Sequence, residues 1–319
     1  FMSKSPTDKH TILILGASGF IGNMLYKELR SYFKTYGTYC SQEGNFGDNQ
    51  VFFKYDVATN NLDEILAETN PSVIISAIRG DYKSQFEAHK SLAEYVKAHH
   101  HCRLLFLSSV SVFDGLLQFP AYENDSPRAE SEYGRHKLAI ERLLLTEIPA
   151  QTALIRLPIV LGVHSPRIIQ LQQAAKHKAN FEVFPNLIIS TTTADKVAQQ
   201  IHYIINQRGD GIFHLASEDV IHHEDLYREL AEKLGEQLPV FKSVFQRNED
   251  SYLAILPKKN KLPKPYRITV SEVIDACTLK EEISTFKGWR VKSEEWRVKS
   301  EGWRVKGEGW RVKSDGWSW

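Results

Sequence analysis

Through residue 157 the chain alternates short unbroken apolar runs with longer stretches whose apolar positions recur at three and four. Runs such as Ile12–Leu15 and Leu104–Leu107 lack the polar alternation of a half-exposed strand, so they read as strands buried on both faces. The pattern predicts strands at Thr11–Leu15, Thr35–Cys40, Val51–Tyr55, Ser72–Ser76, Arg103–Leu107 and Thr152–Leu157. Between them it predicts helices over Phe20–Phe33, Leu62–Glu68, Gln85–His99 and Glu132–Thr146, with a polar loop at Ser41–Asn49. Strands alternating with helices over this length predict an α/β fold with a doubly wound parallel sheet.

After Pro158 the pattern changes. Helices are expected at Ile168–Lys176, Thr193–Asn206, His223–Leu234 and near Ser271–Ala276, around one strand, Gly211–Leu215. This second part, 158–285, reads as a smaller C-terminal lobe laid over the sheet of the first domain, 11–157, with the 211–215 strand returned to that sheet. Residues 1–10 form a polar lead, expected to be disordered. The tail, 286–319, is a low-complexity repeat: Trp289, Trp296, Trp303, Trp310 and Trp317 recur every seven residues, and Val291, Val298, Val305 and Val312 follow two later. Residues two apart lie on opposite sides of a helix but on one face of a strand, so the period is not that of a coiled coil. The near-identical copies read as expansion of a repeated unit without a function of its own.

Composition narrows the classes. The apolar share of 42%, charged share of 25% and net charge of +1 are those of an ordinary globular protein. They give no reason to expect nucleic acid or an anionic membrane as partner. No run approaches the ~18 apolar residues of a membrane helix, and Phe1–His10 has no apolar signal core, so a cytoplasmic protein is expected. Cys40, Cys102 and Cys277 make no metal or redox spacing and are expected as small buried hydrophobes. The run His99-His100-His101 fits a solvated helix end, and His222-His223 a helix cap at the surface.

Two constellations carry chemistry. The turn Gly16-Ala17-Ser18-Gly19-Phe20-Ile21-Gly22 lies between a predicted strand and a predicted helix. Gly16 would allow the tight turn, Gly19 the approach of a pyrophosphate and Gly22 close helix–strand packing, while the helix N-terminus offers N–H groups to phosphate. The second is Tyr133-Gly-Arg-His-Lys137, which puts a phenol and an ammonium one helical turn apart. A tyrosine working near pH 7 needs a shift of about three units, or about 4 kcal/mol. One positive charge at about 4 Å in an effective dielectric of about 20 supplies that much, so Lys137 is expected to lower the Tyr133 pKa. Ser108-Ser109 ends a strand at the carboxyl edge where such sheets bind ligands, placing a hydroxyl where it can meet a carbonyl oxygen.

These stretches, together with Asp56-Val57, Leu107–Gly115, Glu123-Asn-Asp-Ser-Pro127, Leu154–Pro158 and Gly211–Ser217, resemble an extended short-chain dehydrogenase/reductase. The similarity is strongest to the dTDP-4-dehydrorhamnose reductase branch of sugar-nucleotide reductases and runs over about 11–285. The wider spacing of its glycines, G-x-x-G-x-x-G, is that of this lineage. The resemblance implies a Rossmann-type sheet, an NADP or NAD cofactor and a nucleotide-sugar substrate. It implies Tyr133 as proton donor, Lys137 as its electrostatic partner and holder of the nicotinamide ribose, and Ser109 as the group that orients the carbonyl. Gly16, Ser18, Gly19, Phe20, Ile21 and Gly22 would surround the pyrophosphate, Asp56 and Val57 would meet the adenine, and Ala77 and Pro158 would flank the ribose and nicotinamide. Ser41, where an acid would hold a ribose 2′-hydroxyl, leaves room for a 2′-phosphate and favours NADP.

Three positions depart from the branch. Val110-Ser111 replaces the usual Asp-Tyr, His89 a usual asparagine, and Lys258-Lys259-Asn260-Lys261 an arginine-containing substrate loop. Two alternatives stay open: an epimerase or dehydratase that returns the hydride, and a non-catalytic regulatory subunit of the kind that binds methionine adenosyltransferase. A homodimer is compatible with either.

Overall fold

A computed structural model describes residues 10–279 apart from Gln42, Asp48, Glu236, Gln246 and Arg247. The repeat at 286–319 and nearly all of the 1–10 lead lie outside the described residues. The first part runs β1 (Thr11–Leu15), α1 (Phe20–Leu29), β2 (Lys34–Tyr39), α2 (Glu43–Phe46), β3 (Phe52–Lys54), α3 (Asp63–Thr69), β4 (Val73–Ser76), α4 (Tyr82–Ala98), β5 (Arg103–Ser109), α5 (Glu132–Glu147) and β6 (Thr152–Leu157). It continues as β7 (Ile159–Leu161), α6 (Pro166–His177), β8 (Asn180–Val183), β9 (Leu187–Ile189), β10 (Thr191–Thr193), α7 (Ala194–Asn206) and β11 (Gly211–His214). The last elements are β12 (Ile221–His222), α8 (His223–Leu234), β13 (Val240–Ser243), β14 (Ser251–Leu253) and α9 (Val270–Thr278).

Seven strands form one parallel sheet in the order β3-β2-β1-β4-β5-β6-β11. The strand order reverses between β1 and β4, the switch point where open α/β sheets leave a crevice at their carboxyl edge. The unbroken apolar runs have the expected cause. Ile12 and Ile14 join a core with Leu25 and Leu29 of α1 and Val197 and Ile201 of α7. Leu13 and Leu15 join the opposite core with Ile65 of α3, Leu92 of α4 and Ile140 of α5. A strand covered by helices on both faces has no solvent side to keep polar.

A third buried cluster, built on Leu171, Val183, Ile189, Tyr227 and Ile274, fills the C-terminal part beneath small two- and three-stranded sheets. The strand at 211–214 lies in the main sheet beside β6. No helix among the described residues is long and apolar enough to cross a membrane.

Several local expectations are corrected. The first helix ends at Leu29, because the chain turns there, with Phe33 N–H on the Leu29 carbonyl, to enter β2. The polar loop holds α2, whose Phe46 stacks on Tyr39 and Phe52. Cys102 and Cys277 are buried, but Cys40 is exposed at the end of β2. His223 is buried, accepting the Phe184 N–H on Nδ1, so of that pair His222 alone reaches the surface.

Candidate active site

The glycine turn closes on itself through backbone approaches that no side chain permits. Gly16 has φ +81°, and a Cβ there would fall 2.7 Å from the Ala77 carbonyl oxygen. A Cβ on Gly22 would lie 2.2 Å from the Gly16 oxygen, so α1 packs straight onto the turn. Gly19 is the N-cap of α1, in extended conformation, with no side-chain cap and no acid in the first turn. The N–H groups and positive end of the helix are thus offered to an anion, as a dinucleotide pyrophosphate requires. Ser18, Phe20 and Ile21 are part of this turn, and the Phe20 ring lies within 3.2 Å of where a Cβ on Gly162 would stand.

Thr38, on β2, was not legible as a site residue. Its hydroxyl accepts the Gly16 N–H at 2.8 Å and its carbonyl the Ser18 N–H at 3.3 Å, which fixes the turn from the neighbouring strand. Around the same edge, Ala77 N–H bonds the Leu15 carbonyl at 2.9 Å. Asp56 accepts the Ala58 N–H at 2.9 Å, and the Val57 side chain lies 2.9 Å from a Cβ built on Gly80. Ser41 is exposed just past β2, and Pro158 is buried between β6 and β7.

Across the switch point, Ser109 ends β5. Its hydroxyl donates to Ser111 Oγ at 3.2 Å and accepts the Ser111 N–H. Ser111, one of the departures from the branch, therefore pairs its hydroxyl with that of Ser109. The approach depends on Gly134: a Cβ there would meet the Ser111 carbonyl oxygen at 2.2 Å. Ser131 caps α5 by accepting the Gly134 N–H at 2.9 Å, and Asp114 accepts the Ser131 N–H, so the start of the helix is pinned to the segment after β5.

The electrostatics differ from the expectation. Lys137 is buried and donates to the Leu107 carbonyl at 3.1 Å, with Nζ 4.7 Å from the Phe106 ring centre and 5.8 Å from that of Tyr133. Burial raises the Tyr133 pKa above its ordinary value, opposed first by the Arg79 charge and then by the Ser109 hydroxyl. Burial, then Arg79, brings Lys137 down to about 8, against the pull of Glu141. Arg79, from the loop after β4, was missed because nothing in its own stretch marks it. The loop is held by its flanks: Gln85 Nε2 donates to the Gly80 carbonyl at 2.7 Å, and Asp81 caps α4.

His89, the second departure, is fully buried between Ser76 Oγ at 2.8 Å and the Gln85 carbonyl at 2.6 Å. Burial lowers its pKa to about 3, so it is neutral at physiological pH. No group of three or more His, Cys, Asp or Glu among the described residues is placed to hold a metal.

With a glycine turn on one side of the switch point and a Tyr–Lys helix on the other, the fold is that of the extended short-chain dehydrogenases/reductases. Residues 10–262 match the model of the RmlD substrate binding domain, and the chain belongs to that family. The methionine adenosyltransferase 2 subunit beta of Danio rerio is 28% identical over 171 residues, 49% of this chain and 50% of that protein. The chain thus spans about half the length of this curated relative. The dTDP-4-dehydrorhamnose reductase of Bacillus anthracis str. Ames, solved in complex with NADP, is similar with a TM-score of 0.70 at 16% identity over 85% of this chain and 98% of that one. The dTDP-glucose 4,6-dehydratase of the same organism, solved in complex with NAD, has a TM-score of 0.70 at 16% identity over 92% of this chain and 97% of that one. At such identities the likeness is one of fold.

Proposed function

We propose that the protein is an NAD(P)-dependent reductase of a carbonyl on a nucleotide-activated sugar or similar polar metabolite. The observation that carries this reading is the placing of the buried Lys137 ammonium on the Leu107 carbonyl near the carboxyl end of β5, which Ser109 ends, with the Tyr133 ring centre 5.8 Å away. Gly16, Ser18, Gly19, Phe20, Ile21 and Gly22 would hold the pyrophosphate of a nicotinamide dinucleotide. Asp56 and Val57 would meet its adenine, and Lys137, Ala77 and Pro158 its nicotinamide end; exposed Ser41 is compatible with the 2′-phosphate of NADP. Bound there, the dinucleotide supplies hydride-transfer chemistry.

The chain's own part is the proton. Tyr133 gives its phenolic proton to the carbonyl oxygen as negative charge develops on it. Ser109 donates a hydrogen bond to the same oxygen, and the cations of Lys137 and Arg79 stabilise the phenolate that remains. Tyr133→Phe should lower turnover by at least ~10³-fold, within the range of one proton-transfer group and its oxyanion contact, with NADPH affinity nearly unchanged. Stoichiometric NADPH consumption separates the reductase from an epimerase; substantial turnover by Tyr133→Phe would overturn the reading.

The likeness to a methionine adenosyltransferase subunit, with Val110-Ser111 in place of Asp-Tyr, supports a second reading: a nucleotide-binding regulatory subunit. Tight NADPH binding without NADPH oxidation across a panel of keto sugars would favour it.

A further inference from the structure

The loop from Ala254 to Lys261 is stitched to the protein along its length. Ala121 N–H donates to the Ala254 carbonyl at 2.9 Å, and Leu256 N–H donates to the Ala121 carbonyl at 3.0 Å. His214 Nδ1 meets the Leu256 carbonyl at 3.2 Å, and Asn260 Nδ2 donates to the Ile212 carbonyl at 2.6 Å. Between these contacts sits a buried carboxylate. Glu123, 4% exposed, accepts the Lys258 N–H on both oxygens and the Lys259 N–H on one, all at 3.1 Å.

Two consecutive N–H groups converging on one anion form a nest that can keep a carboxylate charged away from water. A neutral acceptor would close the same loop without burying a charge. What the charge adds is stronger, more directional bonds, and hence a fixed position. That position is shared with the chemistry, because Glu123 lies on the segment that leads into α5 and Tyr133. The residues it grips are two exposed lysines, and Lys258 is held at its other end too, with Nζ 4.9 Å over the ring of Tyr122. Lys261, by contrast, is engaged by Glu218.

We propose that Glu123 is a positioning residue for substrate recognition: through the Lys258 and Lys259 amides it sets two lysine charges in register with the segment entering the catalytic helix, ready for the diphosphate of a nucleotide sugar. The proposal rests on the nucleotide-sugar reading above. Its test uses the full chain, with dTDP and UDP as probes by calorimetry, NADPH by fluorescence, and amide exchange at 258–259 by mass spectrometry. Glu123→Gln, which keeps one acceptor oxygen, should weaken dTDP about tenfold, speed exchange at both amides and leave NADPH affinity within about twofold. Lys258→Gln/Lys259→Gln should weaken dTDP comparably, and adding Glu123→Gln should cost little more, since the two changes act through one contact. Glu123→Asp, one methylene short, serves if the glutamine variant does not fold. Joint loss of dTDP and NADPH binding, additive losses, or unchanged dTDP affinity would overturn the proposal. A wild-type chain that binds neither dTDP nor UDP also overturns it, whereas failure of the reductase reading shows separately, as absent NADPH oxidation.

Discussion

Lys137 is buried against Phe106 with its ammonium on the Leu107 carbonyl, and burial together with Arg79 brings its pKa to about 8. The folded value lies below that of the unfolded chain, 10.5, so unfolding takes up a proton between the two and stability rises with pH across that window. For ligand binding the sign reverses. An anionic dinucleotide beside Lys137 favours the ammonium, so NADPH affinity should be highest below pH 8 and fall as pH rises through about 8. Arg79→Gln removes a repelling charge, raises the Lys137 pKa and should move that fall to higher pH. Fluorescence titrations from pH 6.5 to 9.5 read both effects, and a flat profile in the wild type would refute the assignment. Tyr133 and Lys137 were visible in the sequence because both sit on one helical turn. Arg79 was not, because its effect on them crosses from another strand.

At the level of single elements, two glycines in helices make opposite predictions. Gly134 lets α5 touch the Ser111 carbonyl, so Gly134→Ala forces backbone apart and should destabilise the chain by about 1–3 kcal/mol, the cost of overpacking. Turnover should drop as well, since Tyr133 moves with the helix. Gly44 lies in α2 with nothing within 4 Å of a built Cβ, and Gly44→Ala should stabilise by about 0.5–1 kcal/mol. Urea unfolding of both variants checks the pair; equal effects would mean that helix propensity, not close approach, governs the two sites. Long strands and helices were legible from periodicity, because each spans at least one full repeat of its pattern. Strands as short as β9, β10 and β12 were not, since two or three residues carry no period.

Across the whole molecule, α5 is joined to β6, the strand that follows it, by charge. Arg156 on β6 makes a bidentate pair with Glu141, at 3.0 and 2.7 Å, with both side chains 2% exposed, and its guanidinium lies 4.8 Å over the Phe113 ring. Removing one partner leaves a buried charge unpaired, so Glu141→Ala should cost about 3–5 kcal/mol. Replacing both residues by apolar ones should recover much of that. Chemical denaturation of the single and double variants decides it, and a loss below about 1 kcal/mol would mean that water reaches the pair. His214 meets Arg156 at 3.4 Å and the Leu256 carbonyl at 3.2 Å, so this charge network continues toward the loop gripped by Glu123.

The parallel sheet, the two-sided cores, the glycine turn and the Tyr–Lys spacing are properties of single stretches of chain, and so they could be read in order from the residues. The partners that tune the site come from elsewhere: Thr38 holds Gly16 from the next strand, Arg79 acts on Tyr133 from the loop after β4, and Glu123 meets amides 135 and 136 residues further on. Those meetings follow from β1, β2, β4, β5 and β6 lying in one sheet with their carboxyl ends together. No local pattern encodes a distance between segments. It arises only when the hydrophobic faces have been buried and the strand order is set.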